Sequence, residues 1–133
     1  SQPNATGWNV RIVPNKYPAL ISDSIDEFPD ESLHRSSLYR SRPAVGAHEV
    51  IVESPQHIER GADLPEENYC QGLQACRDRL LHWKHTAGIA YAAWFKNVGE
   101  LAGATLRHLH SQLLVLPIVP VTVREDRNVR CSA

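Results

Sequence analysis

The hydrophobic and polar positions along the chain predict four β-strand stretches, of which the first alternates with a period of two and the second is β-branched in its middle. The stretches are residues 7–14, 46–54, 89–97 and 105–116, and the first of them ends at a proline. Residues 22–42 are largely polar and predict a long irregular loop between the first two strands.

Between the second and third strands the period changes to that of a helix. Four residues recur at helical spacing and are expected to face the core: Leu73, Cys76, Leu80 and Trp83. Asp63 with Glu66 three residues later forms a capping-box pattern that predicts a start near Asp63, and Gly88 is expected to stop the helix. The order of elements predicts an α+β fold in which one long helix packs on a mostly antiparallel sheet.

Composition narrows the class of protein. The 133 residues suggest one domain spanning 1–133. The net charge of −1 argues against a nucleic-acid polymer or a membrane surface as partner. Three cysteines without a C-x-x-C pair fit a reducing, cytoplasmic setting.

The chain holds no methionine, so it is expected to be part of a longer or processed protein. Its charged end, residues 123–133, predicts a frayed terminus or part of a helix.

The stretch RHLHSQLLVLP, residues 107–117, carries the candidate chemistry. His108, His110 and Gln112 stand two apart, so in a strand they would line one face. One interpretation is a metal site, because two histidines at this spacing can reach the same ion. A third ligand would then come from elsewhere, and His57 and His48 are candidates on residue type alone.

A second interpretation is nucleophilic catalysis at phosphorus. A neutral imidazole can form a phosphoramidate when one ring nitrogen is free and the other is held by an acceptor. Gln112 can donate to phosphate oxygens without acting as an acid. Thr105 and the backbone amides of the loop 99–103 are further candidate donors. A third interpretation is purely structural, since histidines are often only hydrogen-bonded surface or core residues.

The segment FKNVGELAGATLRHLHSQ, residues 95–112, resembles the active-site segment of galactose-1-phosphate uridylyltransferases, the transferase branch of the histidine triad superfamily. GWNVRIVPNKYPAL (7–20) and GAHEVIVESPQH (46–57) resemble two further blocks of that family, in the same order. The resemblance implies a HIT-like fold and the N-terminal catalytic half of such an enzyme, lacking its first segment.

The resemblance also implies roles for individual residues. His110 would be the nucleophile, Gln112 would bind the phosphate of the intermediate, and His57 and His108 would be zinc ligands. The substrate-binding residues would be Asn15, Asn97 and Thr105. The family's zinc site usually includes a C-x-x-C pair before the first strand block, and these two expected cysteine ligands are absent from this chain.

The implied reaction is the transfer of a uridylyl group from UDP-glucose to galactose-1-phosphate by a homodimer, as part of galactose metabolism. Hydrolase branches of the superfamily carry a third histidine where this chain has Gln112, so the amide favours transfer over hydrolysis. Leu109 and Ser111 replace the usual proline and glycine, and Ser111 is expected to point away from the face that carries His110. Two alternatives stay open: an adenylyl-transferring phosphorylase of the same superfamily, and a non-catalytic metal- or nucleotide-binding module.

Overall fold

In the part of the chain that the structure describes, four antiparallel strands form one sheet, and two α-helices accompany it. The computed structural model describes residues 7–21, 44–86, 88–104 and 106–130, so the predicted loop 22–42 and Thr105 lie outside the described residues. The strands are β1 (Arg11–Pro14), β2 (Ala47–Val52), β3 (Tyr91–Phe95) and β4 (His110–Leu116), and the helices are α1 (Glu66–Lys84) and α2 (Val121–Arg130). The spatial order is β1-β2-β4-β3, which confirms the predicted α+β arrangement of a sheet with one long helix.

The core lies between the sheet and α1. Alternate residues of β2 and β4 point to this side, where Ile51, Leu113 and Val115 are completely buried. Each such side chain stabilises the fold by roughly 1.5–3 kcal/mol. Leu80 and Trp83 of α1 pack against the same cluster, as their helical spacing predicted. No helix among the described residues is long and apolar enough to cross a membrane.

An ion pair fixes the helix to the sheet. Arg79 of α1 donates two hydrogen bonds to the Glu49 carboxylate on β2, from Nε to Oε2 at 2.9 Å and from Nη2 to Oε1. Both side chains are largely shielded from water. The hydrogen bond to Glu49 raises the pKa of Arg79, and burial opposes this effect only in part.

The start of α1 differs from the sequence prediction. Asp63 belongs to a short 3₁₀ turn, Gly61–Asp63, and the helix begins only at Glu66, with Pro65 at its N-cap and no side-chain cap. The capping-box interpretation was therefore wrong, because Pro65 and not Asp63 stands at the N-cap of the helix.

Gly72, and not Leu73, faces the sheet. Leu73 is 40% exposed, whereas Gly72 is buried where a Cβ would lie only 2.8 Å from the Glu53 Cγ. A leucine at the contact position would collide with the buried Glu53 side chain, so the apolar stripe is interrupted by a glycine there. The prediction for Leu73 was wrong because side-chain size, and not only periodicity, decides which residue approaches the sheet.

A buried carboxylate ties the sheet together beneath its open face. Glu53 follows β2 and is 3% exposed. Its Oε1 accepts hydrogen bonds from Lys96 Nζ at 2.8 Å and from the Ser111 hydroxyl. Ser111 thus points toward the helix side, as expected, while its neighbour His110 lies on the opposite face. Glu53 joins the chain segments next to β2, β3 and β4.

The fourth strand is shorter than predicted, and this changes the position of one candidate residue. It runs from His110 to Leu116, so His108 lies in the bend before the strand. His110 and Gln112 share one face, but His108 does not belong to their row. At the other end of the chain, residues 121–130 form α2, which agrees with the helical alternative for the charged tail.

Candidate active site

His110 is held in one ring orientation at the start of β4. Its side chain is nearly buried, with a relative exposure of 9%. Nδ1 lies 2.7 Å from the backbone carbonyl oxygen of His108. A carbonyl oxygen only accepts hydrogen bonds, so Nδ1 carries the proton and Nε2 of the neutral ring keeps a free lone pair. This is the arrangement that a nucleophilic imidazole requires.

Gln112 is the next residue on the same face as His110, two positions along β4. Its Oε1 lies 2.7 Å from Nε2 of His48, which projects from β2 on that face. The register of the two strands, in which Val50 pairs with Gln112, places His48 one diagonal step away. The contact occupies the oxygen end of the amide, so the NH₂ end of Gln112 is turned away from His48.

Asn15 joins the loop after β1 to this cluster. Its backbone N–H donates to the His48 carbonyl at 2.8 Å, and its Oδ1 accepts from the Tyr17 N–H at 2.9 Å. The Asn15 Nδ2 therefore faces the imidazole of His48, 3.1 Å from Nε2. Asn15 and Gln112 each contact His48, which therefore links the two residues indirectly.

His57 and His108 form a second pair of histidines, and His108 stands two residues before His110 in the sequence. Their ring centroids are 5.4 Å apart with the planes nearly perpendicular. Nε2 of His108 lies 2.8 Å from the Ser54 carbonyl oxygen, so it donates there and leaves Nδ1 free. His57 is exposed, with its Nε2 3.4 Å from Glu59 Oε1.

The pair fits part of a zinc site. A ligating histidine typically donates its other ring N–H to a carbonyl, as His108 does to Ser54. A structural zinc ion takes four ligands, however, and the described residues contain no group of three or more His, Cys, Asp or Glu side chains placed to share an ion. His57 and His108 would thus supply two of the four ligands of such a site, and the described residues do not provide the other two.

Leu109 connects the chain segments that carry His57 and His108. Its backbone N–H donates to the Ile58 carbonyl at 2.6 Å, and its side chain is buried. A proline here, as in the usual motif, would lack this N–H. The substitution gives the chain an additional hydrogen bond between the segment that carries His57 and the segment that carries His108.

Asn97 and the glycine loop lie at the same end of the sheet. Asn97 follows β3 two residues after Phe95, whose strand partner is Gln112, and it is partly buried. In the loop, the N–H groups of Ala102 and Gly103 donate to Gly99 and Glu100 carbonyls. Those two amides stabilise the turn, so the expectation that they donate to phosphate was wrong for them.

His48 is a functional candidate to which the sequence analysis assigned no role other than that of a possible metal ligand. Its neighbours are Gln112 and Asn15, and both ring nitrogens have hydrogen-bond partners, so it does not join His57 and His108. A polar residue on the open face of a central strand was the available signal. Only the pairing register, which a single sequence does not contain, shows that it meets Gln112.

Comparison with known proteins decides the family. The family model described as "Galactose-1-phosphate uridyl transferase, N-terminal domain" matches residues 3–120. The chain belongs to this family.

Individual relatives share the similarity to this chain, but their names refer to different nucleotides. An ADP-glucose phosphorylase of Arabidopsis thaliana is 34% identical over 116 residues, which are 87% of this chain and 32% of that protein. A galactose-1-phosphate uridylyltransferase of Thermotoga maritima is 26% identical over 80% of this chain and 32% of its own length. A solved structure titled "Structure of uridylyltransferase" superposes with a TM-score of 0.78 at 35% identity, covering 92% of this chain and 38% of the other. This similarity confirms the HIT-like fold, and the chain spans about a third of the length of these curated relatives.

Proposed function

We propose that the protein containing this chain transfers a nucleoside monophosphate from a nucleoside-diphosphate hexose to a second phosphate, through a covalent intermediate on His110. The observation that carries the proposal is the hydrogen bond from Nδ1 of His110 to the His108 carbonyl, which leaves Nε2 as the free nucleophile. Family membership supports it, because the family model is described as a domain of galactose-1-phosphate uridyl transferase.

In the first step, Nε2 of His110 attacks the α-phosphorus of the donor. An N–P bond forms while the bond between this phosphorus and the bridging oxygen breaks, and hexose-1-phosphate leaves with the electron pair. No proton has to leave Nε2, because the attacking nitrogen carries none. The Gln112 NH₂ group, two residues along the same face, is placed to donate to a non-bridging oxygen as negative charge develops.

In the second step, an oxygen of the acceptor phosphate attacks the same phosphorus and the N–P bond breaks, which restores the neutral imidazole. The acceptor oxygen is already ionised near neutral pH, so it needs no general base. Water does need one, and the Gln112 amide does not take up protons. The chemistry of the site therefore favours a phosphate acceptor over hydrolysis.

Zinc binding belongs to the same proposal. His57 and His108 supply two ligands, and further ligands come from outside the described residues. Bound there, zinc would hold the segment after β2 against the bend that precedes His110, a structural contribution. Metal analysis of the whole protein, compared with its His57→Ala variant, tests this role. We expect the variant to lose most of its zinc and to unfold at a lower temperature.

The leading donor and acceptor are UDP-glucose and galactose-1-phosphate, which the family description supports. A second candidate is ADP-glucose with inorganic phosphate as acceptor. The observation that favours it is the 34% identity to an ADP-glucose phosphorylase. The same first step serves both, since the nucleophile contacts only the phosphate. The resemblance also implies a homodimer, which sedimentation of the whole protein tests.

Isotope exchange tests the proposal without a second substrate. The whole protein is incubated with labelled glucose-1-phosphate and either UDP-glucose or ADP-glucose, and label is followed into the sugar nucleotide. We expect exchange with one of the two donors, and complete loss of exchange in His110→Ala. The matched control is His85→Ala, an exposed histidine at the end of α1, which should exchange like the wild type.

Exchange that survives in His110→Ala would refute the covalent mechanism. Absence of exchange with both donors in the wild type would favour the non-catalytic binding module. The donor that exchanges identifies the base, and the preference ratio between the two donors measures its specificity.

A further inference from the structure

His48 occupies a central place on the open face of the sheet, although neither the motif nor the two-step reaction gives it a role. It is partly buried on β2, between the loop that follows β1 and Gln112 on β4. Its imidazole contacts the loop on one side and Gln112 on the other. A single backbone group decides which ring nitrogen donates and which accepts.

The backbone N–H of Ala19 fixes the tautomer of His48. It lies 3.1 Å from Nδ1 of His48, and an amide N–H only donates, so Nδ1 is the acceptor. A neutral imidazole with a bare Nδ1 carries its proton on Nε2. This Nε2–H therefore donates to Gln112 Oε1, 2.7 Å away.

The chain of hydrogen bonds also fixes the Gln112 amide. If the amide were turned by 180°, its NH₂ group would oppose the Nε2–H of His48 across the same short distance, leaving two donors without an acceptor. His48 thus holds the oxygen of Gln112 toward β2. The NH₂ group of Gln112 then points away from His48. This group is the hydrogen-bond donor of the amide, and an anionic phosphate requires a donor.

The loop after β1 supports the same ring from the other side. Asn15 Oδ1 is occupied by the Tyr17 N–H, so the Asn15 NH₂ group faces His48, where it lies 3.4 Å from Nδ1, the ring nitrogen that accepts. Residues 15–19 therefore hold the imidazole through one side chain and one backbone amide. The ring lies between this loop and the phosphate-facing glutamine.

We propose that His48 is a positioning residue for nucleotidyl transfer: it presents the NH₂ group of Gln112 to the phosphoryl group on His110 and couples this orientation to the loop 15–19. The inference rests on the proposed function. His48 does not touch the reacting atoms, and its effect is transmitted through Gln112.

Two conservative variants separate the two contacts of the ring. His48→Gln places an amide nitrogen near the position of Nε2, so it can keep the bond to Gln112 while losing the acceptor for Ala19. His48→Asn places an amide oxygen near Nδ1, so it keeps the loop contact and loses the donor to Gln112. If His48 were needed only for folding, both variants would affect the kinetics in the same way. The proposed role instead predicts that one variant changes the rate of adduct formation and the other changes the donor affinity.

The experiment measures single-turnover formation of the covalent adduct in the whole protein, with UDP-glucose and ADP-glucose as donors. We expect His48→Asn to slow adduct formation about ten- to a hundredfold with little change in donor affinity. We expect His48→Gln to form the adduct at nearly the wild-type rate with weaker donor affinity. In a Gln112→Ala background, His48→Asn should cause no further loss, because the group that it positions is already absent.

Equal rates for both variants and the wild type would overturn the proposal, and so would a loss in His48→Asn that adds fully to that of Gln112→Ala. Nitrogen-15 NMR of the histidine rings gives a readout that does not depend on turnover, and the proposal requires the Nε2–H tautomer at His48. A wild-type protein that forms no adduct would remove the proposed function, whereas an Nδ1–H tautomer would remove this inference alone.

Discussion

Removing the positive charge beside Glu53 should loosen the sheet beneath the candidate active site. Lys96 Nζ lies 2.8 Å from Oε1 of Glu53, which is 3% exposed, and the lysine side chain is itself 21% exposed. At an effective dielectric constant of about 20, two charges at this separation attract by roughly 6 kcal/mol before desolvation is subtracted. Lys96→Met leaves the carboxylate buried with only the Ser111 hydroxyl as a described side-chain donor.

The expected net cost is about 3 kcal/mol or more, because a buried charge that loses its partner costs about 3–5 kcal/mol. Oε2 of Glu53 already lacks a hydrogen-bond partner among the described residues, so the remaining environment offers little compensation. Lys84→Met, at the exposed end of α1, is the matched control and should cost less than about 1 kcal/mol.

Hydrogen exchange of the β4 peptide, measured by mass spectrometry in the whole protein, reports the free energy of local opening. For Lys96→Met we expect exchange about a hundredfold faster or more, since each 1.4 kcal/mol corresponds to about a tenfold change. Adding Glu53→Gln removes the uncompensated charge and should restore part of the protection. Equal exchange in Lys96→Met and Lys84→Met would refute the reasoning.

Three further predictions concern the helix, the cysteines and a glycine. Arg79→Ala should destabilise the contact between α1 and the sheet by about 1.5–3 kcal/mol, measured by hydrogen exchange of the helix. Because the hydrogen bond to its carboxylate partner raises the pKa of Arg79, this contribution should be fully present below the ordinary arginine pKa and persist into strongly alkaline solution. Iodoacetamide at pH 8 should modify the exposed Cys70 and spare Cys76, whose thiol pKa is raised by burial and then by a nearby carboxylate; peptide mapping that finds equal labelling would contradict this. Gly46→Ala would place a Cβ 2.1 Å from a carbonyl oxygen of β4 and should cost about 1–3 kcal/mol or more in chemical denaturation, whereas Gly61→Ala, with open space at its Cβ, should not.

The sequence contained enough information for the main elements because their periodicity is local. Alternation predicted the first strand and β-branched residues the second, and the period of two placed His110 and Gln112 on one face, where the structure has them. The end of the first strand at Pro14 was predicted correctly, because proline cannot continue the hydrogen-bonding pattern.

The errors share a different cause, which is that they depend on tertiary contacts. His108 was placed in the strand, yet the bend before β4 brings it to Ser54 and His57. Gly72 replaced Leu73 at the sheet because Glu53 leaves no room for a larger side chain. Neither the bend nor the space available at the sheet is encoded in the local pattern.

The hydrogen bonds of the site also could not be predicted from a single sequence. His48 and Gln112 are 64 residues apart, and only the register of β2 and β4 brings them together. The orientation of His110 depends on a backbone carbonyl, and every residue type supplies one. Motif and resemblance predicted which residues to examine, while their donor and acceptor roles required the fold.

The central claim is tested most directly by the intact mass of the whole protein after brief mixing with UDP-glucose or ADP-glucose. The account predicts a gain equal to one nucleoside monophosphate less water, its loss in mild acid because phosphoramidates are acid-labile, and its absence in His110→Ala. An adduct that persists in His110→Ala, or a wild-type protein that gains no mass with either donor while it binds both, would contradict the account.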